Sequence, residues 1–340
     1  MEVLSTADTD LEKAAAALAK GRLVAFPTET VYGLGADTFN LSALARVFEA
    51  KNRPRFDPLI IHFAELGALS RIVDIASLDR TTKERLSILS ERLWPGPLTL
   101  ILPKRPEVPG LATAGLETAA VRFPSHPVAQ KLIRLAGCPV AAPSANPFGY
   151  LSPTRAEHVK AQLGEKVDFI IDGGRTQVGL ESTVLDLSRD TPRILRPGGT
   201  SREAIEALIG PVELPGDDTR ENAEETGTQI SPKLSPGQLK KHYAPRTPLV
   251  LCEPGELTLL AHTPGEGRLY FSSPQKGDSG AADRTRVLSE TGDLAEAAAN
   301  LFDMLHELDR MGLELVRAEK APGFGLGAAI NDRLRRAESG

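Results

Sequence analysis

Apolar and polar positions alternate along residues 20–210 in two rhythms. Short β-type runs stand at 22–26 (RLVAF), 58–63 (PLIIHF), 98–102 (LTLIL), 119–123 (AAVRF), 139–142 (PVAA), 167–172 (VDFIID), 182–187 (STVLDL) and 193–197 (RILRP). Between them, apolar residues recur at helical spacing over 42–51, 79–93, 126–136, 154–163 and 201–209. An amphipathic helix is expected near the N-terminus, beginning at Thr9 or Asp10. Several neighbouring strands have no helix between them, so the pattern predicts an α/β domain over 1–210 built on a sizeable mixed sheet.

From Pro211 the rhythm stops. Residues 211–247 are rich in Pro, Gly and charge, the composition of an exposed linker. One stretch inside them, SPGQLKKHYAP, gathers Lys240, Lys241, His242 and Tyr243 between prolines. A connector with no task has little need of that cluster. Over 248–340 the pattern resumes with strands at 249–252, 268–272 and 286–289, a helix at 293–310, a strand at 313–319 and a last helix from about Leu326. These elements predict a second, smaller βαβ-type unit.

Composition narrows the class. At 340 residues the chain has room for two cores, and its net charge of −5 argues against bulk electrostatic binding of nucleic acid while leaving a local basic groove open. No apolar run approaches the ~20 residues needed to span a bilayer, and the acidic N-terminus lacks a signal-peptide core. The two cysteines, Cys138 and Cys252, lie far apart beside apolar residues, which excludes a Cys-based zinc cluster and fits a reducing compartment. A cytoplasmic protein without a membrane partner is expected.

The chemistry-bearing residues cluster at strand margins. In KNRPRFDPLIIHF (51–63), Lys51, Arg53 and Arg55 crowd together directly before an apolar run. Like charges at that spacing repel unless water or an anion lies between them, so this is either a solvated basic turn or an anion site. FPTETVYGLGA (26–36) reads as a polar turn straight after a buried strand, with Gly33 and Gly35 allowing close backbone approach. AAPSANPFGYLSPT (141–154), GLEST (179–183) and LRPG (195–198) repeat the pattern around Ser144, Asn146, Ser182 and Arg196. Ligands of open α/β sheets bind just beyond strand ends, so loops of this kind on one sheet reinforce each other. Other templates fail: the chain has no Walker A loop, no G-x-S-x-G elbow and no metal-type histidine spacing. GFGLGA (323–328) formally fits a dinucleotide loop but lies too near the chain end for a following strand.

Taken in order, FPTETVYGLGA, KNRP…DPLIIH, WPGPLTLIL, AVRFPSHP, APSAN…SPT, ESTVLDL and RPG make the chain resemble the threonylcarbamoyl-AMP synthases. LSPGQLKKHYAPRTP and GLGAAINDRL resemble the longer, two-domain form. The resemblance implies a YrdC-like twisted mixed sheet with helices over 1–210, a linker over 211–247 that reaches the active site, and a smaller Rossmann-like α/β domain over 248–340. It implies condensation of L-threonine, bicarbonate or CO₂, and ATP into threonylcarbamoyl-AMP and pyrophosphate. A downstream tRNA threonylcarbamoyl transferase complex would use that product, and direct contact with tRNA stays open.

Residue by residue, the resemblance places Thr30, His62, Arg122, Ala142 and Ser182 around the threonine. It places Lys51, Arg53, Asp57, Thr118, Ser144, Asn146, Ser152, Arg196 and Tyr243 around ATP. Lys51 and Arg53 would carry the catalytic charge stabilisation, since a triphosphate approaches a carbamate only when fixed cations offset the repulsion. Mg²⁺ is expected with the ATP, with no dedicated ligand set in the sequence. Asp57 departs from the Asn frequent in related sequences, and beside phosphates it adds repulsion unless it binds Mg²⁺ or turns toward Arg53 or Arg55. His62 reads equally as a general base or as a hydrogen-bonding core histidine. Two rivals remain, a duplex-RNA or tRNA-binding module without turnover and a carbamoyl transferase.

Overall fold

The computed structural model describes residues 1–214, 242–274 and 282–338. Lys240, Lys241 and most of the expected linker lie outside the described residues. A mixed ten-stranded sheet is built from β1 (Glu2–Leu4), β2 (Val24–Phe26), β3 (Gly33–Asp37), β4 (Ile60–His62), β5 (Leu98–Pro103), β6 (Thr118–Arg122), β7 (Val140–Ala141), β8 (Phe169–Ile171), β9 (Thr183–Asp186) and β10 (Arg193–Arg196). Its order is β1-β8-β2-β3-β7-β4-β6-β5-β9-β10. Parallel β4/β6 and β5/β9 pairs stand beside antiparallel β3/β7, β4/β7 and β5/β6 pairs.

Helices α1 (Asp8–Ala19), α2 (Leu41–Lys51), α3 (Arg80–Leu93), α4 (Pro127–Ala136), α5 (Ala156–Leu163) and α6 (Arg202–Ile209) cover this sheet. Local chemistry fixes their ends. Asn40, Asp79 and Ser201 accept backbone N–H groups as N-caps of α2, α3 and α6. The apolar faces pack into two clusters, one around Leu34, Leu44, Ile61, Leu100 and Val121, the other around Leu11, Leu18, Phe26, Leu132 and Ile171.

The second unit is a four-stranded, all-parallel sheet of β11 (Leu249–Cys252), β12 (Glu266–Ser272), β13 (Thr285–Ser289) and β14 (Leu315–Glu319), ordered β11-β14-β12-β13. It carries α7 (Leu294–Arg310) and α8 (Leu326–Glu338). GFGLGA runs into the first turn of α8. The apolar cluster of this unit does not stop at its own boundary. Val31, Leu151, Leu180 and Tyr243 join Leu301, Phe302 and Leu305 in one buried group.

Three expectations need correction. The N-terminal helix begins at Asp8 and is preceded by the short strand β1. YGLGA is not a turn: Gly33–Asp37 pairs antiparallel with both β2 and β7. Gly35 is there for packing, since a Cβ would lie 2.8 Å from the Phe26 ring and 2.9 Å from a Val140 methyl.

Candidate active site

A cleft opens where the 28–33, 142–144 and 181–182 segments meet the ends of β4, β6 and β10. Its wall includes Thr30, His62, Arg122, Ala142 and Ser182, the five residues expected around an amino acid. Arg53, Ser144, Arg196 and Tyr243 line it too. Lys51, Asp57, Asn146 and Ser152 stand one layer behind the wall and touch residues that form it. Thr118 is not brought there. It begins β6, opposite Pro103, at the far end of the strand from Arg122.

The 51–57 turn is shaped by Asn52, which adopts the left-handed conformation at φ 52° and ends α2. This reversal turns Lys51 and Arg53 inward while Arg55 stays exposed. Lys51 is fully buried and donates its Nζ to the carbonyls of Ser144, at 2.5 Å, and Asn146. It thereby ties the end of α2 to the 144–146 loop. Burial, with Arg53 nearby, holds its pKa well below the ordinary lysine value. Arg53 donates Nη2 to the Pro58 carbonyl at 2.7 Å and pairs with Asp57 Oδ2 at 2.9 Å. Asp57 has thus turned toward Arg53. Burial pushes its carboxyl above the usual range, against the pull of Arg53 and Lys51.

At the end of β6, the Arg122 guanidinium faces Glu29, with Nη2 2.8 Å from Oε1 and both side chains buried. Thr28 shapes the adjoining turn by donating to the Val31 carbonyl at 2.6 Å, with the Thr30 hydroxyl 2.8 Å away. His62 Nδ1 lies 3.1 Å from the Ile60 carbonyl. Burial and the Arg122 charge lower its pKa to about 3. A group so weakly basic is a poor proton acceptor from an ammonium. Of the two readings of His62, the geometry and burial favour a neutral hydrogen-bonding ring.

Arg196 crosses the floor, donating Nη2 to the Ser182 carbonyl at 2.9 Å, while Ser182 Oγ lies 2.7 Å from Thr99 Oγ1. Three further residues were missed from sequence. Glu29 and Glu181 read as ordinary loop carboxylates because their cationic partners are distant in the chain. His242 was noticed only as part of the linker cluster. It lines the cleft, its ring meets Phe148 and Tyr243 edge-on, and its Nδ1 has no hydrogen-bond partner among the described residues.

Around the cleft the described residues bring five buried cations, Lys51, Arg53, Arg122, Arg196 and Arg333, and three buried carboxylates, Glu29, Asp57 and Glu181. A ligand with two or more negative charges is what such an excess can hold. No group of three or more His, Cys, Asp or Glu among the described residues is arranged to hold a metal. Asp57, the carboxylate beside the cations, is committed to Arg53. These residues do not supply a metal site of their own.

Fold and cleft together define an α/β protein of the YrdC-like class, with a cation-lined ligand site at strand ends. A Sua5/YciO/YrdC family model described as "Telomere recombination" matches residues 16–198, and the model of the threonylcarbamoyl-AMP synthase C-terminal domain matches residues 200–339. Threonylcarbamoyl-AMP synthase of Bacillus subtilis is 42% identical over 344 residues, covering 99% of this chain and 95% of the relative. Its counterpart from Pyrococcus abyssi is 42% identical over 328 residues, with 95% and 92% covered. A crystal structure of P. abyssi Sua5 complexed with L-threonine superposes with a TM-score of 0.85 at 37% identity, covering 99% of this chain and 98% of that one. The chain belongs to the threonylcarbamoyl-AMP synthase family, in the form that carries both units.

Proposed function

We propose that the chain condenses L-threonine, bicarbonate or CO₂, and ATP into threonylcarbamoyl-AMP, releasing pyrophosphate, and that this cleft holds both organic substrates. The observation that carries this reading is the division of the cleft. Arg122 and His62 are register partners on β6 and β4, whereas Arg53, Arg196, His242 and Tyr243 line the same cleft from other segments. In this reading Thr30, His62, Ala142 and Ser182 surround the amino acid, and Arg122 takes its carboxylate. Glu29 occupies one edge of that guanidinium, so Arg122 offers the substrate its remaining edge rather than the whole fork.

The cationic end takes the triphosphate. Arg53 reaches it directly, Ser144 borders it, and Lys51, Asn146 and Ser152 fix the loops that form it. Tyr243 and His242 border the nucleotide end, and the 211–247 segment thereby contributes to the site. The residues act by positioning and by offsetting charge as the carbamate attacks the α-phosphate. No covalent nucleophile is required. Mg²⁺ would arrive with ATP, and no step here is assigned to it. The product would pass to a tRNA threonylcarbamoyl transferase complex in the cytoplasm, with direct tRNA contact a further proposal. Among the described residues no helix is long and apolar enough to cross a membrane.

Pyrophosphate release from ATP, with threonine and bicarbonate omitted in turn, tests the reading. Release should require both. Release that ignores threonine would overturn it, and salt-sensitive RNA binding without turnover would favour an RNA-binding module.

A further inference from the structure

Arg333 lies on α8, in the second unit, yet its side chain is fully buried against the first. Its Nε pairs with Glu181 Oε2 at 2.8 Å and its Nη2 donates to the Pro197 carbonyl at 2.9 Å. The guanidinium carbon stands 4.8 Å from the centroid of the Tyr243 ring. Asp332 contacts Arg333 Nη1 and is shared with Arg336. Three parts of the cleft thus converge on one side chain of another unit: the 181–182 loop, the turn after β10, and Tyr243.

Glu181 is the unusual member. It lines the nucleotide end, where a free carboxylate would repel phosphate. Its other oxygen accepts the Ser152 hydroxyl. The next residue, Ser182, holds Arg196 through its carbonyl. Burial alone would raise the Glu181 pKa, but Arg333 first and Arg196 second outweigh it, so the carboxylate stays charged. Its negative charge therefore needs a cation, and among the described residues Arg333 and Arg196 act on it.

We infer that Arg333 is a positioning residue for the nucleotide end: by pairing with Glu181 it keeps that carboxylate from cancelling the positive field of Arg196. On this account the second unit supplies a counter-charge to the active site in addition to packing area. The inference rests on the proposed reaction for its kinetic readout, though not for its electrostatics.

The test is steady-state pyrophosphate release by the full chain, with ATP and threonine titrated separately. Losing one partner of a buried, hydrogen-bonded charge pair is costly, so Arg333→Met should raise the KM for ATP by about tenfold or more. The KM for threonine should move by less than about twofold, because the Arg122 end is untouched. The double variant Arg333→Met/Glu181→Gln should recover an ATP KM close to that of Glu181→Gln alone. If Arg333 merely fastens α8 in place, the double variant will remain as impaired as Arg333→Met, and the inference fails. Should Arg333→Met not fold, as judged by thermal denaturation, Arg333→Lys decides. It keeps the charge on Glu181 and should keep ATP affinity, and a folded Arg333→Lys protein with a tenfold loss would overturn the inference. ATP binding measured calorimetrically on the same proteins separates the two ideas. A wild-type chain that binds ATP but shows no threonine-dependent turnover contradicts the proposed reaction, while absence of rescue in the double variant contradicts the role of Arg333.

Discussion

Asn52 decides what the cations at 51–55 can do. Its left-handed backbone sends Lys51 and Arg53 to the interior and leaves Arg55 in solvent. Like charges in adjacent turns are tolerable because each has its own acceptors: the Ser144 and Asn146 carbonyls for Lys51, and Pro58 and Asp57 for Arg53. That cations of this stretch turn inward was legible, as one of two readings, from charge placed against an apolar run. Which cation would face the cleft was not, because that depends on carbonyls some ninety residues away in the chain. Glu29, as the partner of Arg122, was hidden for the same reason. Lys51→Met keeps the aliphatic stem and removes the charged donor from two buried carbonyls. Each such hydrogen bond contributes roughly 1.5–3 kcal/mol, so the variant should lose at least about 2 kcal/mol of stability in urea denaturation. Unchanged stability with weakened ATP use would instead put the Lys51 ammonium on the ligand.

At the scale of elements, the helices over 41–51, 80–93, 127–136 and 202–209 were readable because periodicity and caps agree. β3 was not, because two glycines in YGLGA resemble a turn until Phe26 and Val140 are seen pressing on Gly35. The contact between α5 and α7 was also invisible from sequence. There His158 and His306 stack at 4.0 Å, and Asp303 on α7 takes a bidentate pair from Arg155, with Arg175 3.4 Å away. Burial, followed by the neighbouring imidazole, lowers the His158 pKa to about 3. Burial likewise lowers that of His306 to about 4, with Arg310 adding to the effect and Asp309 and Asp303 opposing it. Both rings are therefore neutral in the folded chain at pH 7. Below about 6.5 the unfolded chain takes up protons that the folded one refuses, so stability is complete above that value and falls as the pH drops toward 4. Between pH 7.5 and 5 the loss should be about 1–2 kcal/mol per histidine. The urea midpoint should fall over this range in the wild type and less steeply in His306→Asn. Equal slopes would exclude the pair as the source.

For the whole molecule, the two units share a core, and the cleft lies against their junction. Leu180 and Tyr243 pack with Phe302, and Arg333 meets Glu181. Composition placed a boundary near Pro211 but could not reveal that residues beyond it line the cleft or meet it, since Leu180 and Phe302, and Glu181 and Arg333, lie more than a hundred residues apart in the chain. Gly179 marks how close the approach is. At φ 72°, a Cβ there would stand 2.5–2.6 Å from backbone atoms of Ala298 and Ala299 on α7. Gly179→Ala should cost about 1–3 kcal/mol of backbone strain, with the steric clash added, and should raise the KM for ATP by pulling the 181–182 loop from its place. A variant with wild-type stability and ATP kinetics would mean that the junction tolerates separation.

In the proposed reaction one cleft divides its cations between an amino acid at Arg122 and a nucleotide at Arg53 and Arg196. Arg→Lys keeps a charge and removes the planar fork, so it probes each end without emptying it. The most direct measurement compares ATP and threonine KM values for Arg122→Lys and Arg196→Lys in threonine-dependent pyrophosphate release. Arg122→Lys should raise the threonine KM by about tenfold with little change for ATP, and Arg196→Lys should do the reverse, each fork contact being worth about 1.5–3 kcal/mol. If both variants raise both constants equally, the cleft is not divided in this way and the account is wrong.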